Sequence, residues 1–282
     1  PMQYTRKYHT CEARHMTTDW LGPRLYQPNL EEVLHGALTP KTADVHYVNH
    51  FRYPAQKGFV SYLDKFVPMA DLNTGFEVVE IDAKQKQLTF SNGERRDYEE
   101  LVSSVPLPKL VKLIKDTPKD IIDTADLLSC SQVVLVNVGL TRPHVSEANW
   151  TYFYDDDICF ARLSFPSNFS RSLVPEGCSS VQAEVYFSEK WKPMTGTPED
   201  WIDPVIEGLI KCGLVKDRSE INHTSVIYAP WANVIFDYDR PKSLATVHGY
   251  LDDLGIRYCG RYGDWEYIWT DQSFISGENA AR

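Results

Sequence analysis

The sequence predicts an α+β fold, and three observations carry that prediction. Between residues 76 and 105, short apolar runs are broken by turn residues, Asn92-Gly93 among them, as in an antiparallel meander. Gln132–Leu140, 151–165 and Ser179–Phe187 alternate apolar and polar side chains with the period of half-buried strands. Near the end, 256–259 reads as a buried strand that runs into Gly260-Arg261-Tyr262-Gly263 and then into a helix opened by Asp271-Gln272-Ser273.

Taken in order, residues 1 to 70 read as helix and loop. Asn29-Leu30-Glu31-Glu32 opens a short helix with an Asn cap and acids in its first turn, and Gly36 is its expected stop. A turn at Tyr53-Pro54 leads to a helix over 61–67. The meander is expected as strands at 76–81, 87–90 and a third ending at Val105-Pro106. A helical pattern with lysines on one face covers 107–128, and the three alternating runs follow as an antiparallel sheet suited to the floor of a substrate site. The pattern over 201–212 is an amphipathic helix stopped by Gly213, and another helix spans 243–254.

A chain of 282 residues forms one large domain or two small ones, and 43% hydrophobic residues suffice for a core. The formal charge of -10 and the absence of any Lys/Arg run longer than two argue against a nucleic-acid partner. No apolar stretch approaches the roughly 20 residues of a membrane span. The first residues lack the apolar core of a signal peptide and there is no Met at position 1, which places the expected start inside a longer protein. Six scattered cysteines without a C-x-x-C predict reduced thiols and a cytoplasmic setting.

A strand that ends on glycines against a helix N-terminus leaves backbone N–H groups and a positive dipole end for a phosphate or an anionic ring. Arg261 adds a cation there. This segment resembles the C-terminal flavin-binding motif of the flavin-dependent amine oxidase and protoporphyrinogen oxidase-like superfamily. Further short matches are Thr18-Asp19-Trp20-Leu21-Gly22-Pro23-Arg24, Arg52-Tyr53-Pro54, Phe90-Ser91-Asn92-Gly93-Glu94 and Arg162-Leu163-Ser164-Phe165-Pro166-Ser167-Asn168-Phe169. Together they resemble the branch related to UDP-galactopyranose mutase, associated with surface-glycan biosynthesis.

The resemblance implies a remnant of an α/β FAD-binding fold, in which nucleotide-domain segments interleave with an antiparallel-sheet substrate domain. Its expected parts are a helical substrate-domain segment at 1–70, the FAD-domain meander at 71–106, the substrate-binding domain at 107–227 and a return to the FAD domain at 228–282. The chain has no G-x-G-x-x-G turn, so it corresponds to the C-terminal two-thirds of such an enzyme. FAD is the implied cofactor of the intact enzyme, its binding expected to be weak or absent in this chain alone, with Val78, Pro106, Gly260, Arg261, Gly263, Asp271, Gln272 and Ser273 as its expected contacts. Arg52, Arg162, Tyr228, Tyr238 and Arg240 are the expected substrate contacts, since arginines and tyrosines suit a nucleotide-sugar diphosphate. Trp150, Tyr152 and Phe160 stack on a base or sugar, or else belong to the sheet core.

No metal site is expected. His46 and His50 stand four apart without a third ligand, and His9, Cys11 and His15 match no zinc pattern. Asp155-Asp156-Asp157 reads as a solvated turn rather than a metal-binding motif. No catalytic acid or base stands out. Three functions remain open at this point: an FAD-dependent oxidoreductase, a mutase-like isomerase using reduced flavin, and a truncated, non-catalytic binding protein. A missing half would leave exposed edges, which predicts self-association as a homo-oligomer.

Overall fold

The computed structural model describes residues 2–22, 28–39 and 50–282. Expectations that rest on Pro23, Arg24 and His46 lie outside these residues. The chain opens with α1 (Met2–Tyr8) and α2 (Leu30–Leu38). Asn29 caps α2: its Oδ1 accepts from the Glu32 amide at 2.9 Å, and Glu32 Oε2 accepts from the Asn29 amide at 2.9 Å. The helix overruns the expected stop at Gly36 and continues to Leu38. Glycine inside a helix costs only about 1 kcal/mol, which that reciprocal cap offsets. Instead of one helix over 61–67 there are two 3-10 turns, Phe59–Leu63 and Val67–Met69. Neither turn buries a residue, so no apolar face offsets the cost of helix nucleation between Gly58 and Pro68.

The meander forms from β1 (Val78–Asp82), β2 (Gln87–Phe90) and β3 (Arg95–Asp97), paired antiparallel in that order. Its expected third strand is split. β3 ends at Asp97, and β4 (Leu101–Ser103) leaves the meander to pair in parallel with β10 (Ile256–Tyr258), with Leu101 opposite Ile256. The single helix expected over 107–128 is likewise two, α3 (Leu107–Leu113) and α4 (Lys119–Ala125). Pro118 breaks it by removing an amide and restricting Thr117. The Thr117 hydroxyl donates to the Val111 and Ile114 carbonyls at 2.9 and 2.8 Å, satisfying acceptors at the end of α3. Both helices, expected to travel with the substrate sheet, pack instead into a core with Ile81, Val247, Leu251, Ile256 and Trp265.

A second core is built on one sheet. Among the described residues it has five strands in the order β6 (Trp150–Tyr152), β7 (Arg162–Ser164), β8 (Ser179–Phe187), β5 (Gln132–Leu140) and β9 (Ile221–Ala229), all neighbours antiparallel. The run at 151–165 is thus two strands joined by a turn that carries the three aspartates. β9 was not anticipated. Val134, Val136, Val138 and Leu140 of β5 face the same side as Val181, Ala183, Val185 and Phe187 of β8, all at most 1% exposed. The helix α6 (Ile202–Lys211) closes that side with Val205 and Leu209. Each such side chain contributes about 1.5–3 kcal/mol of burial before entropy is counted.

The opposite face carries the alternate residues, and the end of α1 lies on it, packing Tyr8 with Val133, Ala161 and Tyr186. The short α5 (Pro166–Phe169) leads from β7 towards β8. Beyond β9 come α7 (Arg240–Asp253), α8 (Gly260–Gly263) and α9 (Thr270–Ala281). α7 begins earlier than expected because Pro241 sits in its first turn, where a missing amide costs nothing. Among the described residues, no helix is long and apolar enough to cross a membrane.

Candidate functional site

The open face of the sheet meets the C-terminal segment at a cavity of about 300 Å³. Arg162 on β7 stands opposite Glu184 on β8, both pointing to this side by the period of the strands. The Arg162 guanidinium donates to Glu184 Oε1 at 2.5 Å, and the Tyr186 hydroxyl donates to Glu184 Oε2 at 2.6 Å. Glu184 is 4% exposed, so its charge is held by these two donors. Nε of Arg162 is buried and has no partner among the described residues.

Across the cavity, Tyr267 donates to the Tyr8 hydroxyl at 3.2 Å. Tyr4 stacks on Tyr8 with ring centroids 5.0 Å apart, and Tyr152 meets both rings edge-on. Burial, reinforced by neighbouring tyrosines, pushes Tyr4, Tyr186 and Tyr267 above the ordinary phenol range. Burial does the same to Tyr8. These hydroxyls therefore stay protonated at any physiological pH. His9, next to them, is fully buried with neither ring nitrogen partnered among the described residues, and burial lowers its pKa to about 3.

Arg261 enters the cavity from α8. Its guanidinium donates to the Ile268 carbonyl at 2.5 and 3.1 Å and to Asn233 Oδ1 at 3.2 Å, and it lies 5.4 Å from the Tyr267 ring centroid. Among the described residues it faces carbonyls and an amide rather than a carboxylate, so no short-range counter-charge meets it there. The first turn of α9 adjoins the same cavity through Trp269. Gln272 Oε1 accepts from the Trp269 amide at 3.0 Å, the N-terminal cap expected of it. Asp271 and Ser273 share that first turn, Asp271 exposed and Ser273 half-buried.

The glycines behave differently from expectation. Gly260 takes φ 74°, and its amide, expected to be free for a phosphate, donates to Ser276 Oγ of α9 at 2.8 Å. Gly263 lets α8 lie against β4: a Cβ there would stand 3.2 Å from the Ser103 carbonyl.

The other expected residues are dispersed. Val78 begins β1, half-buried at the edge of the first core. The Pro106 carbonyl starts α3, accepting from the Lys109 and Leu110 amides at 2.9 Å. Arg240 is 7% exposed and is engaged by the Trp265 carbonyl at 2.7 Å, by Glu266 and by the ring of Phe236. Tyr228 lines a separate cavity of about 420 Å³ with Cys130 and Lys190. Tyr238 is exposed, as is Arg52, whose carbonyl accepts from the Tyr62 hydroxyl at 2.9 Å. Phe160 belongs to the packed face at 0% exposure, whereas Trp150 and Tyr152 stand on the open one. Asp156 and Asp157 form surface ion pairs with Arg6 and Lys211. Cys11 is in the first core and His15 stacks on Trp191, apart from His9.

Of the expected set, the cavity unites Arg162 and Arg261. It also contains Tyr8, Glu184, Tyr186, Asn233, Tyr262 and Tyr267, which sequence reasoning did not single out. One signal was available for Glu184: an acid at an inward-alternating position of a strand needs a cation opposite.

No family model matches the sequence. Among solved structures, the chain superposes on the crystal structure of reduced UDP-galactopyranose mutase with TM-score 0.86 and 27% identity, over 98% of this chain and 61% of that one. The fold is that of the flavin-dependent amine oxidase and protoporphyrinogen oxidase-like superfamily. A protoporphyrinogen oxidase-like protein from Exiguobacterium sp. 255-15 matches with TM-score 0.60 and 14% identity, over 79% of this chain and 49% of that one. An oxidoreductase from Methanosarcina mazei matches with TM-score 0.50 and 13% identity, over 80% and 53%. These two show the fold alone. The chain spans 61% of the mutase chain it resembles.

A flavin is the cofactor that the sequence resemblance implies, and the donor set can be tested for it. The turn of α9 and Arg261 offer N–H groups and a positive charge beside an aromatic-walled cavity, which fits the ring end of a flavin. The Gly260 amide is already occupied by Ser276, so the cradle expected there for a pyrophosphate is filled by the chain itself.

Proposed function

We propose that this chain supplies the substrate-binding part of a flavin-dependent enzyme acting on a nucleotide sugar, with mutase-like isomerisation as its reaction and glycan biosynthesis as its setting. One observation carries the reading: Arg162 and Arg261, 99 positions apart in number, converge with neutral tyrosine hydroxyls on a single cavity. A diphosphate needs such a set, because a guanidinium binds phosphate oxygens bidentately and a protonated phenol donates without adding charge. Glu184 and Tyr186 hold Arg162 in one orientation, so less side-chain entropy is lost when a ligand arrives. Tyr8 and Tyr267 set the opposite wall. Trp269 and the first turn of α9 would hold the flavin ring, which when bound supplies the nucleophilic or redox chemistry. The likeness to UDP-galactopyranose mutase over 98% of this chain supports the isomerase. An FAD-dependent oxidoreductase is the second reading, supported by the protoporphyrinogen oxidase-like fold match. Six free cysteines support a cytoplasmic setting.

Calorimetric titration with UDP tests the cavity. Wild type should bind UDP, and Arg162→Ala should bind it about 10- to 100-fold more weakly, the loss of one charge-assisted pair. Equal affinity of the two proteins would sink the reading, and no binding by either would point to a non-catalytic relic. Oxygen uptake during turnover of a flavin-loaded enzyme would favour the oxidoreductase over the isomerase.

A further inference from the structure

The open face of the sheet continues beyond Arg162 and Glu184 into a second, larger concavity of about 780 Å³. Its base is made by the next residues along the same strands: Ser164 follows Arg162 on β7, Gln182 precedes Glu184 on β8, and Asn137 follows Leu135 on β5. Two residues along a strand is a step of about 7 Å, so the two concavities lie side by side on one surface. Their chemistry differs completely. Among the described residues, no Asp, Glu, Lys or Arg lines the larger one.

Its polar groups form a fixed ladder. Gln182 Nε2 donates to Asn137 Oδ1 at 2.8 Å, and Asn137 Nδ2 donates to Ser225 Oγ at 3.3 Å. Each amide is thereby oriented, and Gln182 Oε1 has no partner among the described residues. Over this ladder stands an aromatic wall. Phe169 lies parallel to Trp150, at 10° and 6.3 Å between centroids, and 5.2 Å from Tyr53. The wall is tied in place where the Ser170 hydroxyl donates to the Ala55 carbonyl at 2.6 Å.

Oriented neutral amides facing aromatic rings suit a ligand with hydroxyls on its edges and C–H groups on its faces, and the absence of charge disfavours a phosphate or a peptide terminus. We infer that this groove binds a neutral saccharide segment of more than one ring. Its volume falls in the range of about 300–1,000 Å³ typical of small-molecule sites, which leaves room beyond a single ring. The inference deepens the nucleotide-sugar reading and rests on it for the link between the two concavities. A ligand anchored by its anionic part at Arg162 would then extend its neutral part across Ser164, Gln182 and Asn137.

The test uses the isotope-labelled full chain with lactose as the neutral probe and UDP as the anionic one. Lactose should shift the side-chain amide signals of Asn137 and Gln182 saturably, with or without UDP present. Gln182→Met and Phe169→Ala should each weaken lactose by about fivefold or more, the loss of one hydrogen bond or one stacking face, and leave UDP affinity within about twofold. No saturable shift up to about 100 mM lactose, a weak limit on the affinity scale, overturns the inference. So does a shift that both variants leave intact. Lactose binding without UDP binding would keep the groove and overturn the nucleotide-sugar reading instead.

Discussion

On β5, Val134, Val136 and Val138 alternate with Leu135, Asn137 and Gly139, so two unlike surfaces are separated by one backbone thickness. The packed side is apolar, aliphatic side chains with Phe160, Phe165 and Phe187 among them, and is closed by α6. The open side carries an ion pair, an amide ladder, a hydroxyl cluster and the end of α1. The contrast shows how stability and recognition share a strand: the first side holds the backbone rigid, and rigidity gives the second side its fixed geometry.

Placing a charge on each side should therefore give opposite outcomes. Val136→Asp puts an unpaired carboxylate at a 0% exposed position and should cost at least about 4 kcal/mol, enough to unfold the chain in urea titrations at low denaturant. Asn137→Asp, one residue away, keeps the acceptor for Gln182 and loses only the donor to Ser225, so about 1 kcal/mol is expected. Equal losses would mean that the two faces are not distinct.

Next in size is the ion pair itself. Glu184→Ala leaves Arg162, whose side chain is 29% exposed, beside a hydroxyl and no carboxylate, at a cost of about 3 kcal/mol. The double variant with Arg162→Ala should recover part of that cost. A coupling below about 0.5 kcal/mol in a double-mutant cycle would show that the pair is not a unit.

His9 gives the open side a pH response. Its folded pKa is depressed by burial to about 3, below the unfolded value near 6.5, so the unfolded state binds the proton first. Stability is intact above pH 6.5 and falls as the pH drops towards 3. Between pH 7 and 4.5 wild type should lose about 2–3 kcal/mol more than His9→Phe, because each unit of mismatch is worth about 1.4 kcal/mol. Parallel losses in the two proteins, followed by urea melts at both pH values, would remove His9 from the account.

These regions were unequally visible in the sequence. The packed face was legible because β5 and β8 alternate cleanly, and the cap of α2 has a local cause, whereas the break that Pro118 imposes after α3 and the start that Pro241 permits for α7 were passed over. β9 was missed because Ile221-Asn222-His223-Thr224-Ser225 is polar and lies at the sheet edge, half-exposed on both sides. β4 was assigned to the meander because its partner, β10, lies more than 150 residues away and no local pattern reports such a pairing. Among the arginines, residue type alone cannot separate Arg162, which faces a cavity, from Arg240, which is consumed by Trp265, Glu266 and Phe236. That difference arises only in tertiary packing.

The smallest expected effect separates the faces at a single residue type. Tyr228 and Tyr267 are both tyrosines near the C-terminal segment, yet Tyr228 pairs with Val134 and so points to the packed side, while Tyr267 lines the charged cavity on the other. Removing the Tyr267 hydroxyl as Tyr267→Phe takes away the one O–H that donates to Tyr8 at the cavity wall, so UDP affinity should fall by about three- to tenfold, the value of one hydrogen bond. Tyr228→Phe should change UDP affinity by less than about 1.5-fold, below what any single contact contributes. The comparison does not depend on fold stability, because Tyr228 is 38% exposed and its loss leaves the core untouched. If Tyr228→Phe weakened UDP as much as Tyr267→Phe, the nucleotide would have to bind at the 420 Å³ cavity beside Cys130 and Lys190, and the open face would lose its assignment as the binding side.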